Sequence, residues 1–220
     1  MTKFYRVMYA IFAKPVSAVL RVHAHNLEKL PPDGGCIICA NHTSMLDVLV
    51  LSAALKKQIR YMAKKELFGI PGLKQLITAL GAYPVDRGGA DVGSIRRTIK
   101  MLGEGEFICV FPQGTRHPGK DPAQTPVKNG VGMIAWHAKA TLVPVYIRTK
   151  KNRVRFFSRT DVVVGDPIPF DELGMTSGGS AQYAAATERV FADVCALGGS
   201  VRALPAAEKA AEGTKAEDAE

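Results

Sequence analysis

The sequence predicts an α/β domain with a mostly parallel or mixed central sheet that is covered by helices on both faces. Three observations support this prediction. Short runs rich in β-branched residues alternate with stretches of helical length, which is the rhythm of βαβ units. The early runs are separated widely enough for the crossover helices that a parallel sheet requires. The 220 residues, 47% of them hydrophobic, suffice for one domain with a full core.

The first predicted element is an amphipathic helix over residues 1–20. At about 100° per residue, its polar side chains fall within an arc of roughly 80° and leave a wide apolar face. The polar residues are Lys3, Arg6, Lys14, Ser17 and Arg21. Lys14 and Pro15 interrupt the apolar run, which is shorter than the ~20 residues of a membrane span. The pattern favours a helix lying in a membrane interface. The alternative is a terminal helix packed on the domain's own core.

The remaining elements alternate through one domain over residues 21–204, followed by a tail over 205–220 that is predicted to be disordered. The predicted strands are CIICA (36–40), QIRYMA (58–63), GAYPV (81–85), FICVFP (107–112), TLVPVYI (141–147), RVRFF (153–157) and DVVVGDPI (161–168). Helices are predicted over 44–57, 91–102, 130–139 and 181–196. Because the last strands follow each other closely, we expect an antiparallel or mixed edge.

Charge and cysteines narrow the functional classes. The net charge is +9, with +12 on residues 1–204 and −3 on the tail, so a polyanionic partner is expected: nucleic acid, an anionic bilayer or a phosphorylated substrate. Cys36 and Cys39 form a CxxC inside a predicted strand, where their side chains point to opposite faces. We therefore predict core thiols and no metal site. The N-terminal apolar stretch has no small-residue cleavage site, so no signal peptide is predicted.

Candidate functional residues follow the predicted strands, because ligands of open α/β sheets bind at the carboxyl ends of strands. His42 follows the strand CIICA, and Asp47 lies in or near the first turn of the next helix, where Thr43 or Ser44 is expected to be the N-cap. A carboxylate that orients a histidine is the minimum for a general base. The histidines without such a placement are interpreted as structural: His23, His25, His117 and His137.

Further strand ends carry residues suited to an anion. Arg87 follows one strand and Arg116 another, and a guanidinium grips phosphate through a planar fork of donors. Gly114 permits a close approach of the backbone to a ligand. Lys128 precedes a predicted helix N-terminus, which is a natural anion site.

The segment NHTSMLD resembles the NHxSxxD block of the 1-acylglycerol-3-phosphate O-acyltransferase (lysophosphatidic acid acyltransferase) family. GAYPVDRGG resembles the second block of this family, with Pro84 in the usual aromatic position, FPQGTR resembles Phe-Pro-Glu-Gly-Thr-Arg, and LVPVYI the fourth block. Lys64 and Lys128 also fall where the family has lysines. The blocks occur in family order over residues 36–147. The one departure in the third block is Gln113, where the family has glutamate; the amide keeps the shape and loses the charge.

The resemblance implies an enzyme that transfers an acyl group from an acyl carrier protein or CoA thioester to the sn-2 hydroxyl of 1-acylglycerol-3-phosphate. His42 would be the base and Asp47 its orienting partner, with no metal or other cofactor. Backbone N–H groups near Gly114 and Thr115 would stabilise the oxyanion. The residues expected to bind substrate are Lys64, Arg87, Gln113, Gly114, Thr115, Arg116 and Lys128. The expected location is peripheral, on the cytoplasmic face of the cell membrane, bound to its anionic surface.

Two alternatives stay open at this level. The same chemistry suits another lyso-lipid or glycerol phosphate as acceptor. A non-enzymatic basic module that binds membrane or nucleic acid would use the lysines and arginines near residues 56–65 and 148–155. The sequence has no base-stacking platform or recognition motif, so a nucleic-acid partner is not predicted.

Overall fold

The computed structural model of the chain describes residues 2–86 and 91–202. In this part of the chain, seven strands form a single sheet in the order β1-β7-β6-β2-β5-β3-β4. The strands are β1 (Val22–His25), β2 (Cys36–Ala40), β3 (Ile59–Lys64), β4 (Ala82–Val85), β5 (Phe107–Val110), β6 (Thr141–Thr149) and β7 (Thr160–Val164). The α-helices are α1 (Lys3–Val19), α2 (Asp47–Leu55), α3 (Leu73–Ala79), α4 (Val92–Gly103), α5 (Gly130–Ala138) and α6 (Ser180–Leu197).

The predicted α/β class is confirmed, including the mixed edge. All neighbouring strands pair in parallel except β6 and β7, which are antiparallel. The reversal has a consequence for β1, which pairs in parallel with β7. Both strands run away from the edge at which β2, β5 and β6 end. The end of α1 therefore lies at this edge, which we call the carboxyl edge, together with the loop between β6 and β7.

The sheet separates two cores, because β2 is buried on both faces. Ile38 packs in a cluster with Leu51 of α2, whereas Ile37 packs in another with Val131 of α5 and Phe191 of α6. The two cysteines of the CxxC lie in different clusters, as the alternation of a strand predicts. All four cysteines are unpaired and buried, and burial raises the pKa of the Cys36 thiol to about 12.

Some predicted elements are wrong. RVRFF is a loop with one 3-10 turn before it, Lys150–Asn152. Only Val154 of this segment is buried, so the alternation that indicates a strand has no second apolar side chain facing the core. The strand β1 and the helix α3 were not predicted, because VHAH is polar and α3 has no buried residue. The tail over 205–220 lies outside the described residues.

Helix α1 divides its wide apolar surface between the core and the solvent. Tyr5 is 4% exposed and its hydroxyl donates to the Lys57 carbonyl, while Leu20 is 2% exposed just after the helix. Phe4, Val7 and Ile11 on the other side are about half exposed, beside the cationic stripe. One side of α1 thus packs on the domain, the other is open to solvent, and its place in a membrane interface stays a prediction. Among the described residues, no helix combines the length and apolarity needed to cross a membrane.

Candidate active site

A buried asparagine fixes the point at which the chain leaves β2. Asn41 is 0% exposed; its amide donates to the Ile147 carbonyl at 3.1 Å and its carbonyl accepts the Ile147 N–H at 2.7 Å. These two bonds extend the ladder between β2 and β6 by one residue through a side chain. The backbone of His42 is thereby held at the carboxyl edge.

His42 and Asp47 form a hydrogen-bonded pair at this edge. Nδ1 of His42 lies 2.8 Å from Oδ2 of Asp47, and the aspartate side chain is 0% exposed. The same oxygen accepts the N–H groups of Thr43 at 2.6 Å and Ser44 at 2.8 Å. Asp47 is the first residue of α2, so its carboxylate organises the loop before the helix. The expected N-cap role of Thr43 or Ser44 is wrong, because α2 begins at Asp47 and its N-cap position is Leu46.

The geometry selects one nitrogen of His42 for chemistry. A carboxylate at Nδ1 holds a proton there and leaves the lone pair on Nε2. Within residues 2–86 and 91–202, Nε2 has no hydrogen-bond partner, and the side chain is 13% exposed. The ring stacks on Phe111, with centroids 3.9 Å apart and planes inclined by 13°. Both ring torsions are therefore constrained, and Nε2 is available to a substrate hydroxyl.

Gln113 takes a place that differs from the expected one. The side chain is 2% exposed; its oxygen accepts the His42 N–H at 2.6 Å and its nitrogen donates to the Thr125 hydroxyl at 2.7 Å. The hydroxyl in turn donates to the Pro122 carbonyl. With both ends of the amide engaged inside the protein, we correct the expected role of Gln113 from binding the acceptor to holding the His42 loop.

The loop after β5 carries the other predicted residues of this edge. The Gly114 N–H donates to the Phe111 carbonyl at 2.9 Å, so it is not the oxyanion donor that the sequence suggested. Gly114 has a φ of 68°, and an added Cβ would lie 2.9 Å from the Lys128 side chain. Thr115 and Arg116 are exposed. In the described part of the chain, the Thr115 N–H donates to no backbone group.

The two remaining predicted residues differ in what the structure tells us. Lys64 is the exposed last residue of β3, at the carboxyl edge. Arg87 lies outside the described residues. Among the residues that are described, no group of three or more His, Cys, Asp or Glu side chains is arranged to hold a metal ion.

Sequence reasoning missed three residues that build the site: Asn41, Phe111 and Thr125. The first two stand inside the segments NHTSMLD and FPQGTR or directly at their start. A polar residue straight after a fully apolar strand was the available signal for Asn41. Thr125 had no local signal, because its partner Gln113 lies twelve residues away across a loop.

Comparison with known proteins gives consistent results. The family described as Acyltransferase matches residues 21–148. The chain is 34% identical over 168 residues to the 1-acyl-sn-glycerol-3-phosphate acyltransferase of Bacillus subtilis, covering 73% of this chain and 82% of that protein. It is 32% identical to the protein of the same name from Streptococcus pneumoniae, covering 69% of this chain and 57% of that protein. The fold is similar to the crystal structure of the 1-acyl-sn-glycerophosphate (LPA) acyltransferase PlsC from Thermotoga maritima, with a TM-score of 0.62, 22% identity, and 90% and 84% of the two chains covered.

Proposed function

The chain belongs to the Acyltransferase family, and we propose that it transfers a fatty acyl group from a thioester to the sn-2 hydroxyl of 1-acylglycerol-3-phosphate, giving phosphatidic acid. Family membership identifies it as an enzyme and removes the non-enzymatic alternative. The names of its relatives support the acceptor. The observation that carries the proposal is the buried His42–Asp47 pair, which leaves Nε2 accessible at the carboxyl edge.

In the proposed reaction, Nε2 of His42 removes the proton of the acceptor hydroxyl while the oxygen attacks the thioester carbonyl carbon. Asp47 holds the tautomer and balances the imidazolium as it forms. The tetrahedral intermediate then breaks its C–S bond, and the leaving thiolate takes the proton from His42. The Thr115 N–H is the proposed oxyanion donor of this edge. Transfer is direct and uses no protein nucleophile, metal or other cofactor.

The phosphate of the acceptor is proposed to bind to Arg116 and Lys128, with Lys64 and Arg87 as further cations. Arg116→Ala is expected to raise KM for the acceptor about tenfold or more and to leave KM for the acyl donor nearly unchanged. Arg116→Lys should rescue only in part, since an ammonium lacks the bidentate fork. Arg97→Ala, an exposed arginine on α4, is the matched control. Equal effects on both substrates would contradict the role of Arg116.

The enzyme is proposed to act as a peripheral protein on the cytoplasmic face of the cell membrane, with the exposed side of α1 in the interface. Replacing Phe4, Val7 and Ile11 with glutamine should strongly weaken binding to anionic vesicles, because buried apolar side chains contribute about 1.5–3 kcal/mol each. Tyr5→Phe changes the packed side and is the control. Unchanged vesicle binding by the triple variant would show that the helix serves only the core.

The acyl donor and the acceptor are tested together. We expect lipid mass spectrometry to detect phosphatidic acid after incubation with lysophosphatidate and either acyl-CoA or acyl-acyl carrier protein. Parallel incubations with glycerol phosphate and with lyso-phospholipids that carry a larger headgroup test the alternative acceptors. If product formed only from one of these alternative acceptors, the proposed acceptor would be contradicted, while the proposed role of His42 would remain.

A further inference from the structure

We propose that the loop between β6 and β7 is a second membrane-contact segment, distinct from α1, that binds an anionic lipid surface. We call residues 150–157 the basic loop. It contains two exposed phenylalanines and four exposed cations: Lys150, Lys151, Arg153, Arg155, Phe156 and Phe157. The inference rests on the proposed function only in that the substrate is a membrane lipid.

The composition of the basic loop is that of a surface that binds at a bilayer interface. Phe156 is 62% exposed and Phe157 74% exposed, whereas Val154 between the cations is 5% exposed and anchors the loop in the core. Within the described parts of the chain, none of the four cations forms an ion pair. Aromatic rings beside unpaired cations match the acyl–headgroup boundary and its phosphates.

The backbone holds Phe157 in an unfavourable conformation. Its φ is 59°, in the left-handed region that bulky residues avoid. The conformation is maintained because the Phe157 N–H donates to the Val19 carbonyl at the end of α1, at 2.6 Å. The ring therefore stands in solvent at the end of the amphipathic helix, although a small residue would satisfy this turn at lower cost.

The basic loop also lies next to the candidate active site. The Asn152 carbonyl accepts the Gly119 N–H, and the His42 carbonyl accepts the His117 N–H, both at 2.9 Å. One chain of backbone contacts thus runs from the catalytic loop through the loop after β5 to the basic loop and on to α1. A contact of the basic loop with a bilayer would bring the carboxyl edge to the surface that contains the acceptor. The two exposed phenylalanine rings favour a lipid surface over an acidic carrier protein or a nucleic acid as the partner.

Tryptophan placed in the basic loop reports insertion directly. Phe157→Trp is tested with vesicles of phosphatidylcholine and phosphatidylglycerol and with brominated lipid, and unsubstituted protein corrects for Trp136. We expect a blue shift and quenching by brominated lipid. Glu104→Trp, just beyond α4 at the opposite edge of the sheet, is the matched control and should show neither change. Solvent-like emission of Phe157→Trp on vesicles that bind the protein would overturn the proposal.

Removal of charge tests the headgroup contact. Lys150→Gln with Lys151→Gln should weaken partitioning into anionic vesicles by about fivefold per charge, and Arg96→Gln with Arg97→Gln on α4 should not. Activity on a monomeric short-chain lysophosphatidate should stay unchanged. Unaltered partitioning overturns the proposal. This holds also where the variant keeps its partitioning but loses kcat/KM for acyl carrier protein or loses oligonucleotide binding. If partitioning falls as expected but the unsubstituted protein acylates no lysophosphatidate, the basic loop is supported and the proposed function fails.

Discussion

Two histidine–aspartate pairs in this molecule have nearly the same length and very different surroundings. His42 and Asp47 are 2.8 Å apart, and His25 and Asp161 are 2.7 Å apart. The Asp47 side chain is 0% exposed, and the donors around it are two backbone N–H groups and a hydroxyl. Asp161 is instead shared with Arg159, whose guanidinium makes a bidentate contact. His25 is also 43% exposed, against 13% for His42.

The difference shows that distance does not identify a catalytic pair. The charge of Asp47 is balanced by no arginine or lysine in the described part of the chain, so it is available to the imidazolium that would form in the proposed reaction. Arg159 already neutralises Asp161 and, with His25, lowers the pKa of its carboxyl to about 2. Position differs as well. His42 follows β2 at the carboxyl edge, whereas His25 ends β1, which runs the other way.

The largest expected contrast comes from removing each histidine. His42→Ala should lower kcat/KM by about 10²–10⁴-fold, the range for loss of a general base. The kcat/KM of His25→Ala should stay within about twofold of that of the unsubstituted protein. Steady-state kinetics and circular dichroism on both variants measure this. Near-normal turnover by a folded His42→Ala protein would remove the proposed mechanism.

Substitution of the two aspartates should give a difference in activity almost as large. Asp47→Asn is expected to reduce kcat by about 10²–10⁴-fold, because an amide does not enforce the tautomer that leaves Nε2 unprotonated. Asp161→Asn should leave kcat nearly unchanged. A similar loss in both variants would mean that Asp47 acts on folding rather than on His42, and thermal melts of both proteins would detect this.

Gln113 belongs to the surroundings of His42 and not to those of His25. Its substitution should have an intermediate effect. Gln113→Ala removes the acceptor of the His42 N–H, so we expect kcat to fall about tenfold with little change in KM for the acceptor. Gln113→Glu should recover most of kcat, since a carboxylate accepts the same N–H and the Thr125 hydroxyl can turn from the Pro122 carbonyl to donate to it. A rise in acceptor KM without loss of kcat would instead return Gln113 to the substrate.

The smallest contrast concerns stability and pH. The folded pKa of Asp161 is about 2, below its usual value, so its ionised form stabilises the fold above about pH 4 and this contribution disappears as pH falls through 2. Asp161→Asn should lower the free energy of unfolding by about 1 kcal/mol at pH 7, allowing for exposure of the partners. Urea titrations at pH 7 and at pH 2.5 should show the difference shrinking. A difference that grows toward low pH would contradict this account.

The sequence predicted the sheet and the contact between His42 and Asp47 well because both have local signals. CIICA is an uninterrupted apolar run, and Asp47 follows His42 by only five positions. His25 and Asp161 are far apart in sequence, so only tertiary structure joins them. The inward orientation of Gln113 could not be predicted either, because a glutamine after a strand can bind a ligand or a group inside the protein equally well. RVRFF failed because its phenylalanines face solvent, which periodicity alone does not reveal.

The parallel pairing of β1 with β7 also sets an order of events in time. Val22 pairs with Thr160, so the N-terminal strand has no partner until most of the domain has been synthesised. At about 5–20 residues per second, this interval is on the order of ten seconds. During this interval α1 has been synthesised, but β7, which pairs with the strand just after α1, has not. Under the membrane contact proposed for α1, a lipid surface would therefore meet this helix before the domain is complete.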